Sequence, residues 1–363
     1  MKNGESRFDR GRLSGRAACF AVLVLALAST LVYAGYQVEV VQTTDRNIQS
    51  CTSLEYNGSG NPTIAYGDGT AKEVGLATKV TSTWNIETAD KRLPMNIDHS
   101  IDSNGNITIC YPASDRSWHS IFAAQKAGST WTVSLVAAKT LTAVSCAYDG
   151  NHVAAVAYAD STNKGTLWFA RQSGGVWSRE AVAKGVTVYD VSLVYDTAGN
   201  PAIAFQNELG FSGPNSLRLA RKTGSSWSVE TVLSTSDGIR YPALAFDPTN
   251  SGAPMISYYL GLYAHATDLA TKSAGIWTTE LVGAGWGATL RVDAGGTLYI
   301  GLDGPAGSGY QIFVESRPKN GVWSSELVES ASTARYSPPS TALDPSGHPA
   351  VGSHYGPAAP GEV

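Results

Sequence analysis

The chain of 363 residues is poor in charge and in cysteine. Only 15% of its residues are charged, with 26 Lys and Arg against 30 Asp and Glu. No basic stripe of the kind that binds nucleic acid is present, so we expect no nucleic-acid partner. The four cysteines form no CxxC pair and no Cys/His metal spacing, so we predict no metal site.

Motifs for familiar catalysis are also missing. There is no Gly-x-Ser-x-Gly elbow, no P-loop and no metal-spaced histidine pair. The six histidines are scattered along the chain. We therefore expect no cofactor and no catalytic residues, and the sequence favours a binding protein over an enzyme.

One long apolar run stands at the start. Five basic residues precede Ala17 to Val32, and small residues close the segment at Ala34. This pattern predicts a cleaved signal peptide over 1–34 and a secreted, periplasmic or extracellular protein; an uncleaved anchor is the alternative, and the only expected membrane contact. Cleavage leaves Cys51, Cys110 and Cys146, which allow at most one disulfide and read as buried thiols.

What the sequence does have is a repeat. Tryptophans separated by 47, 46, 50, 50 and 46 residues each begin a similar strand, and a turn rich in Asp, Gly and Asn recurs before each second strand. The tryptophans are Trp84, Trp131, Trp177, Trp227, Trp277 and Trp323; the turn residues are Asn57, Asp102, Asp149, Asp196, Asp247, Asp293 and Asp344.

Each unit reads as four antiparallel strands, A to D, which is typical of a propeller blade. We predict an all-β fold over 35–355, a seven-bladed β-propeller of four-stranded antiparallel blades, with six blades as the alternative. The strand beginning at Tyr36 matches strand D and is expected to close the ring with the last blade. The tail 356–363 is too Pro-rich for strand C, so that blade is three-stranded or the natural chain continues.

Glutamate follows the aromatic residue by three positions in six of the seven D strands, and a cation often ends strand C. We expect the aromatic residue to pack between blades and the glutamate to pair with the cation across the C–D hairpin. The pattern also resembles the repeats of fucose-binding propeller lectins. That resemblance implies sugar-binding roles for Arg171, Trp177 and Glu180, and for Arg221, Trp227 and Glu230.

A second resemblance is to sialidases. The hairpin ending in Gly128-Ser129-Thr130-Trp131 is similar to the second half of the Asp-box, with Lys126 in place of its aspartate. Arg240-Tyr241-Pro242 is similar to the Arg-Ile-Pro motif of that family. A sialidase-like glycoside hydrolase is therefore the alternative function, although no Tyr/Glu pair can be matched.

We expect the functional residues in the loops whose sequence differs from one repeat to the next. The D-to-A and B-to-C loops share the face around the central channel, where binding sites commonly lie. In blades four to six these loops hold aromatic and polar residues suited to stacking on sugars and bonding their hydroxyls. The predicted ligand-binding residues are Tyr189, Asp190, Arg240, Tyr241, Trp286, Asn207, Glu208 and Tyr259. We expect a glycan, or else a protein, as the ligand at this top face.

Overall fold

The structure is a computed structural model that describes residues 19–26, 36–44, 52–115, 118–160, 165–208, 214–261, 264–306, 309–331 and 338–355. These residues form strands and turns and contain no helix. In this part of the chain there is accordingly no helix long and apolar enough to cross a membrane.

The 27 strands, in chain order, are as follows. The first nine are β1 (Cys19–Ala26), β2 (Tyr36–Thr44), β3 (Ser53–Tyr56), β4 (Pro62–Asp68), β5 (Glu73–Val80), β6 (Thr83–Asp90), β7 (Asp98–Ile101), β8 (Ile107–Asp115) and β9 (Trp118–Ala127). The next nine are β10 (Thr130–Tyr148), β11 (Ala154–Asp160), β12 (Thr166–Ser173), β13 (Val176–Lys184), β14 (Val191–Tyr195), β15 (Pro201–Asn207), β16 (Asn215–Thr223), β17 (Ser226–Thr235) and β18 (Ile239–Asp247). The last nine are β19 (Ala253–Leu260), β20 (Ala266–Ser273), β21 (Ile276–Ala284), β22 (Trp286–Val292), β23 (Leu298–Ala306), β24 (Gly309–Arg317), β25 (Ser324–Ala331), β26 (Ser340–Leu343) and β27 (Pro349–Tyr355).

These strands form antiparallel sheets that follow the repeat. Four sheets contain four consecutive strands each: β3 to β6, β14 to β17, β18 to β21 and β22 to β25. A seven-stranded sheet runs from β7 to β13, because the long strand β10 is at once the fourth strand of one repeat and the first of the next. The predicted four-stranded antiparallel units are confirmed.

The sheet at the two chain ends has the order β2-β1-β27-β26. Tyr36–Thr44 is its outer strand, at the place expected for strand D. The third strand, which the sequence left unassigned, is Cys19–Ala26, paired with both β27 and β2. This strand lies in the segment predicted as a signal peptide, which stays a prediction; the rest of 1–34 and the tail 356–363 lie outside the described residues.

The turn between the first two strands of a unit is held by its aspartate. The Asp196 carboxylate accepts hydrogen bonds from the backbone N–H groups of Ala198 at 3.0 Å and Asn200 at 2.9 Å. Asp344 accepts equivalent bonds from Ser346 and His348 at 2.8 Å each. An Asp side chain that satisfies its own turn explains why the residue recurs there.

The core lies between neighbouring sheets. Second strands such as β4 and β11 are buried along their whole length, as expected for strands covered on both faces. Trp227 packs against the cluster containing Phe169 and Phe205, and Trp277 packs against the cluster containing Leu219 and Tyr258. The expected packing of tryptophan between units is confirmed.

Ion pairs also join neighbouring units, at their outer strands. Five of the six glutamates pair with a cation of the following unit rather than across their own hairpin, so the expected hairpin pairing is wrong. The pairs are Lys79 with Glu39, Lys126 with Glu87, Lys222 with Glu180, Lys272 with Glu230, and Arg317 with Glu280. The physical reason is register: Glu180 lies opposite the apolar residue Phe169 on strand β12, and Lys222 of the next sheet donates to its carboxylate.

The arginines assigned by the lectin resemblance have other partners. Arg171 donates to the turn carboxylate of Asp149, and Arg221 donates to that of Asp196 at 3.0 Å. Neither contacts the glutamate of its own repeat. Among the described residues, the five cation–glutamate pairs of the outer strands all join adjacent units, and the cation is lysine in four of the five.

A repeated hydrogen bond links the first strands of neighbouring units, which we call the innermost strands because they line the cavity described below. Four positions before the turn residue, a short polar side chain accepts a bond of 2.9 to 3.2 Å from a backbone N–H of the next unit. The acceptors are Ser53, Asp98, Ser145, Ser192, Thr289 and Ser340, and the donors are His99, Cys146, Leu193, Leu244, Thr341 and Leu54 in the same order. The bond from Leu54 to Ser340 joins the first and last innermost strands.

We expect Ser340→Ala to destabilise the protein. The substitution leaves the buried Leu54 N–H without its acceptor, and an unsatisfied buried donor costs about 1–3 kcal/mol. Urea unfolding measures the change in unfolding free energy. Ser346→Ala in an exposed turn is the control, with an expected change within about 0.5 kcal/mol. Equal stability of the two variants would show that the bond between the end strands contributes nothing.

Candidate functional site

The predicted site residues gather at one end of three neighbouring sheets. Tyr189 and Asp190 precede β14, Arg240 and Trp286 lie at the starts of β18 and β22, and Glu208 follows β15. Because the paired strands are antiparallel, the starts of first strands and the ends of second strands share one edge. We call this group, with Tyr241 and Tyr259, the mouth site.

Arg240 is at the centre of the mouth site. Its guanidinium lies 4.9 Å from the ring centre of Tyr189 and donates to Glu208 at 2.8 Å. The ion pair and the cation–π contact both bridge the sheet of β14 to β17 and the sheet of β18 to β21. Tyr189 is 44% exposed, so one face of its ring remains open to solvent. The arrangement presents a fixed aromatic face beside charged hydrogen-bonding groups.

Asp190 holds the backbone next to Arg240 through hydrogen bonds. Its carboxylate accepts from the backbone N–H of Tyr241 and from the Gln206 amide, each at 3.4 Å. Burial raises the pKa of the Asp190 carboxyl, against the lowering effect of those donors and of nearby Arg240. Tyr241 has a left-handed backbone with a φ of 51°, at a bulge in strand β18. The bulge changes the direction of the backbone next to Arg240, and bulges of this kind are common beside functional sites.

Trp286 and Tyr259 form the other half of the mouth site. Their ring centres are 6.2 Å apart with planes inclined by 51°, a favourable tilted packing. Tyr259 lies opposite Arg240 in the pairing of strands β18 and β19, so the group around Trp286 adjoins the group around Arg240. The Tyr259 hydroxyl is 3.0 Å from Nδ1 of His265. Trp286 is 40% exposed, so its outer face is open.

Two glycines hold Trp286 in place. Gly285 and Gly287 have φ values of 139° and 142°, in the region that L side chains rarely adopt. A Cβ atom on Gly287 would lie 2.5 Å from the carbonyl oxygen of Gly301. The buried Thr267 hydroxyl lies 3.0 Å from the Gly285 carbonyl and 2.8 Å from the Gly287 carbonyl, so its single hydrogen is shared between these two acceptors. The backbone on each side of the indole is therefore fixed.

Gly287→Ala is expected to destabilise the protein by about 3 kcal/mol and to displace Trp286, because strain and a backbone clash act together. Chemical unfolding gives the stability, and Trp fluorescence reports the indole environment. A methyl group on Gly150 would meet nothing within 4 Å, so Gly150→Ala is the matched control. A Gly287→Ala variant as stable as this control would show that the loop can relax.

The remaining predicted residue, Asn207, is 3% exposed and lies beneath the surface. Its side-chain oxygen accepts from the backbone N–H of Thr187 at 2.9 Å, and Glu208 N–H donates to the Thr187 carbonyl at 2.9 Å. Asn207 therefore orders the loop that carries Tyr189. Tyr259, at 6% exposure, supports Trp286 more than it faces solvent.

Next to the mouth site lies the expected channel, whose polar lining was not predicted from the sequence. Its cavity of about 660 Å³ is lined by the innermost strands of all the units. Arg291 on β22 donates to Glu55 on β3 at 2.8 Å, past the intervening strand β26. Asp98 accepts from the hydroxyls of Ser53 at 3.1 Å and Ser145 at 2.9 Å.

Burial dominates the ionisation of these channel groups. It raises the pKa of the Asp98 and Glu55 carboxyls, and Arg291 partly offsets the effect at both. Burial, with a smaller effect of the Arg291 charge, lowers the pKa of His99 to about 3. Its two ring nitrogens are each 2.9 Å from a hydroxyl, those of Ser53 and Thr63, so the neutral ring is satisfied on both sides.

A signal for the channel is present in the sequence. Two positions before the turn residue, the units have Glu55, Ser100, Ala147, Val194, Ala245, Arg291 and Ala342. Glu55 and Arg291 are the two charged residues in that series, and they pair with each other. Comparing units position by position along the innermost strand would have found the pair.

Comparison with solved structures supports the β-propeller fold. No protein-family model matches the chain, and no curated protein matches it. An ulvan lyase, described as a new family of polysaccharide lyase bound to GlcA(1-4)Rha3S, is similar with a TM-score of 0.61 at 10% identity, over 80% of this chain and 85% of that chain. AofleA from Arthrobotrys oligospora is similar with a TM-score of 0.52 at 13% identity, over 84% and 88% of the two chains. Identities this low establish likeness of fold only.

Proposed function

We propose that this protein is a carbohydrate-binding β-propeller that holds a glycan at the mouth site without cleaving it. The observation that carries the proposal is that two partly exposed aromatic rings, Tyr189 at 44% and Trp286 at 40%, lie at the same edge as the Arg240–Glu208 ion pair. Sugar rings have apolar faces that stack on aromatic rings and hydroxyl edges that need charged or polar partners. A solved neighbour bound to GlcA(1-4)Rha3S is in keeping with a carbohydrate ligand.

Each group has a defined role in this proposal. Trp286 and Tyr189 stack on sugar rings, Arg240 donates to ring or hydroxyl oxygens, and Glu208 accepts from hydroxyl groups. The rings are already packed and the ion pair is already formed, so little side-chain entropy is lost on binding. A protein ligand that inserts a side chain between the two aromatic rings is the alternative partner.

We also propose that the sheets close into a seven-bladed ring over 35–355. The seven-stranded sheet counts as two blades because β10 serves both. The hydrogen bond from Leu54 to Ser340 and the Arg291–Glu55 pair both support closure near the channel. At the rim, Tyr36 packs against the cluster containing Ile312 and Val328, and burial, followed by the nearby charge of Glu326, raises the pKa of its hydroxyl. Strand β2 is thus the outer strand of the last blade.

Export follows from the apolar run at the N-terminus, which fits a signal sequence for secretion to the periplasm or the medium. If the segment is retained, strand β1 completes the last sheet; if it is removed, that sheet must change. N-terminal sequencing of the protein recovered from culture medium distinguishes the two cases.

A glycoside hydrolase is the second candidate, favoured by one observation. Glu55 and Asp98 lie in one channel and their charges interact, and hydrolysis of glycosides uses a pair of carboxyl groups. Asp98, however, already accepts three hydrogen bonds that link strands, from Ser53, Ser145 and the Cys146 backbone. This structural engagement favours binding over catalysis.

A glycan array probed with the purified chain tests the proposal, with fluorogenic glycosides and uronate-containing polysaccharides assayed for cleavage alongside. We expect retention of a restricted set of glycans and no turnover. Turnover that is lost in Glu55→Gln would establish the hydrolase instead. If the protein binds no glycan on the array, a carbohydrate ligand is contradicted and a protein ligand is the next candidate.

A further inference from the structure

Two thiols lie together beside the channel. Cys110 on β8 and Cys146 on β10 are free, fully or almost fully buried, and have their sulfur atoms within 4.8 Å of each other and of an Asp98 carboxylate oxygen. Asp98 and Cys110 are directly paired across strands β7 and β8, and the Cys146 N–H donates to the Asp98 carboxylate at 2.9 Å. The backbone thus fixes all three residues relative to one another.

We propose that Cys110 and Cys146 form a disulfide bond that joins the first and second repeats of the seven-stranded sheet under oxidising conditions. The two sulfurs belong to adjacent units, 36 positions apart in the chain. A disulfide requires a sulfur separation of about 2.05 Å, and rotations about the Cα–Cβ bonds move sulfur atoms by distances of this size. Cysteines already this close need little movement of the backbone.

The oxidant is a small-molecule disulfide such as glutathione disulfide. The Cys146 thiolate attacks it and releases one glutathione thiol, and the Cys110 thiolate then attacks Cys146 Sγ in the mixed disulfide and releases the second. Overall, two protein thiols lose two protons and two electrons, and one glutathione disulfide becomes two glutathione thiols.

The channel gives this reagent access. Cys146 lines the cavity of about 660 Å³, whereas Cys110 lies behind it with no exposed surface. Cys146 is therefore the entry thiol and Cys110 the resolving thiol. In the reduced protein the Cys146 thiol lies 3.5 Å from the carbonyl oxygens of Asp98 and Thr108, and bonds this long to sulfur are readily given up. Burial raises the pKa of both thiols, so the reaction should be faster at alkaline pH.

The test uses the full chain with Cys19→Ser and Cys51→Ser, which removes both competing thiols. After incubation of the folded, reduced protein with glutathione disulfide, we expect a mass lower by two hydrogens and a non-reducing digest containing the linked Cys110 and Cys146 peptides. The oxidised form should unfold several degrees higher than the reduced form, since a cross-link constrains the unfolded chain. Added dithiothreitol should reverse both changes.

Two single-cysteine variants and a Zn²⁺ titration are the controls. Cys110→Ser should stop at a mixed disulfide on Cys146, while Cys146→Ser should take up no glutathione. If both thiols of the starting protein remain free for alkylation after unfolding, the proposal is wrong. It is equally wrong if Zn²⁺ at one equivalent protects both thiols and no cross-link forms in its absence, because the group would then be a metal site.

Discussion

Replacing Arg240 or Trp286 by alanine should each weaken binding of an array-selected glycan by about 30-fold or more, with little change in thermal unfolding. Anchor residues of binding sites contribute about 2 kcal/mol or more when removed, which corresponds to this factor. Trp286 is 40% exposed and its support comes from the backbone of Gly285 and Gly287, so loss of the indole leaves the fold intact. Titration calorimetry and a thermal scan of each variant provide the two measurements.

The control is Lys272→Ala at the rim. Lys272 pairs with Glu230 and lies 5.6 Å from the ring centre of Trp277, the type of site that the lectin resemblance would use. We expect its binding to equal that of the unmodified protein. If Lys272→Ala loses the glycan while Arg240→Ala and Trp286→Ala retain it, the ligand binds between blades at the rim and the mouth site is wrong.

Acid should destabilise the protein through His99. The folded pKa is about 3 against 6.5 in the unfolded chain, so between these values the unfolded state takes up a proton that the folded state excludes. The stability contributed by the neutral ring is complete above pH 6.5 and is lost as the pH falls toward 3, at about 1.4 kcal/mol for each pH unit. His354, with a pKa lowered to about 4 by burial, acts in the same direction.

Comparison with His99→Gln isolates this effect. Glutamine can still bond Ser53 and Thr63 but does not titrate, so urea unfolding between pH 7 and pH 4 should show a smaller loss for the variant. The raised pKa values of Glu55, Asp98 and Asp190 give the opposite slope, since their folded forms keep a proton to higher pH, and they are present in both proteins. Parallel pH curves would show that His99 is protonated in the folded state.

The repeat allowed most of the architecture to be predicted. Tryptophan spacing, turn aspartates and alternating strands are local features, and they located the four-strand units and the outer strand at Tyr36. The third strand of the end sheet was missed because Cys19–Ala26 has no repeat pattern and reads as a signal sequence. Its pairing depends on contacts across almost the whole chain.

The site was predictable only in part. Breaks in the repeat brought attention to Tyr189, Arg240 and Trp286, which the structure places on one edge. Partner choice between the outer strands was not predictable: Glu180 pairs with Lys222 of the next unit rather than with a cation of its own hairpin. Such pairs depend on how whole sheets pack, and short-range spacing contains no information about them.

A crystal structure of the protein with an array-selected oligosaccharide would show directly where the ligand binds. We expect a sugar ring stacked on Trp286 or Tyr189, with hydroxyl groups within hydrogen-bonding distance of Arg240 and Glu208. Sugar bound at the rim between Glu230 and Trp277, or in the channel against Glu55 and Asp98, would contradict it.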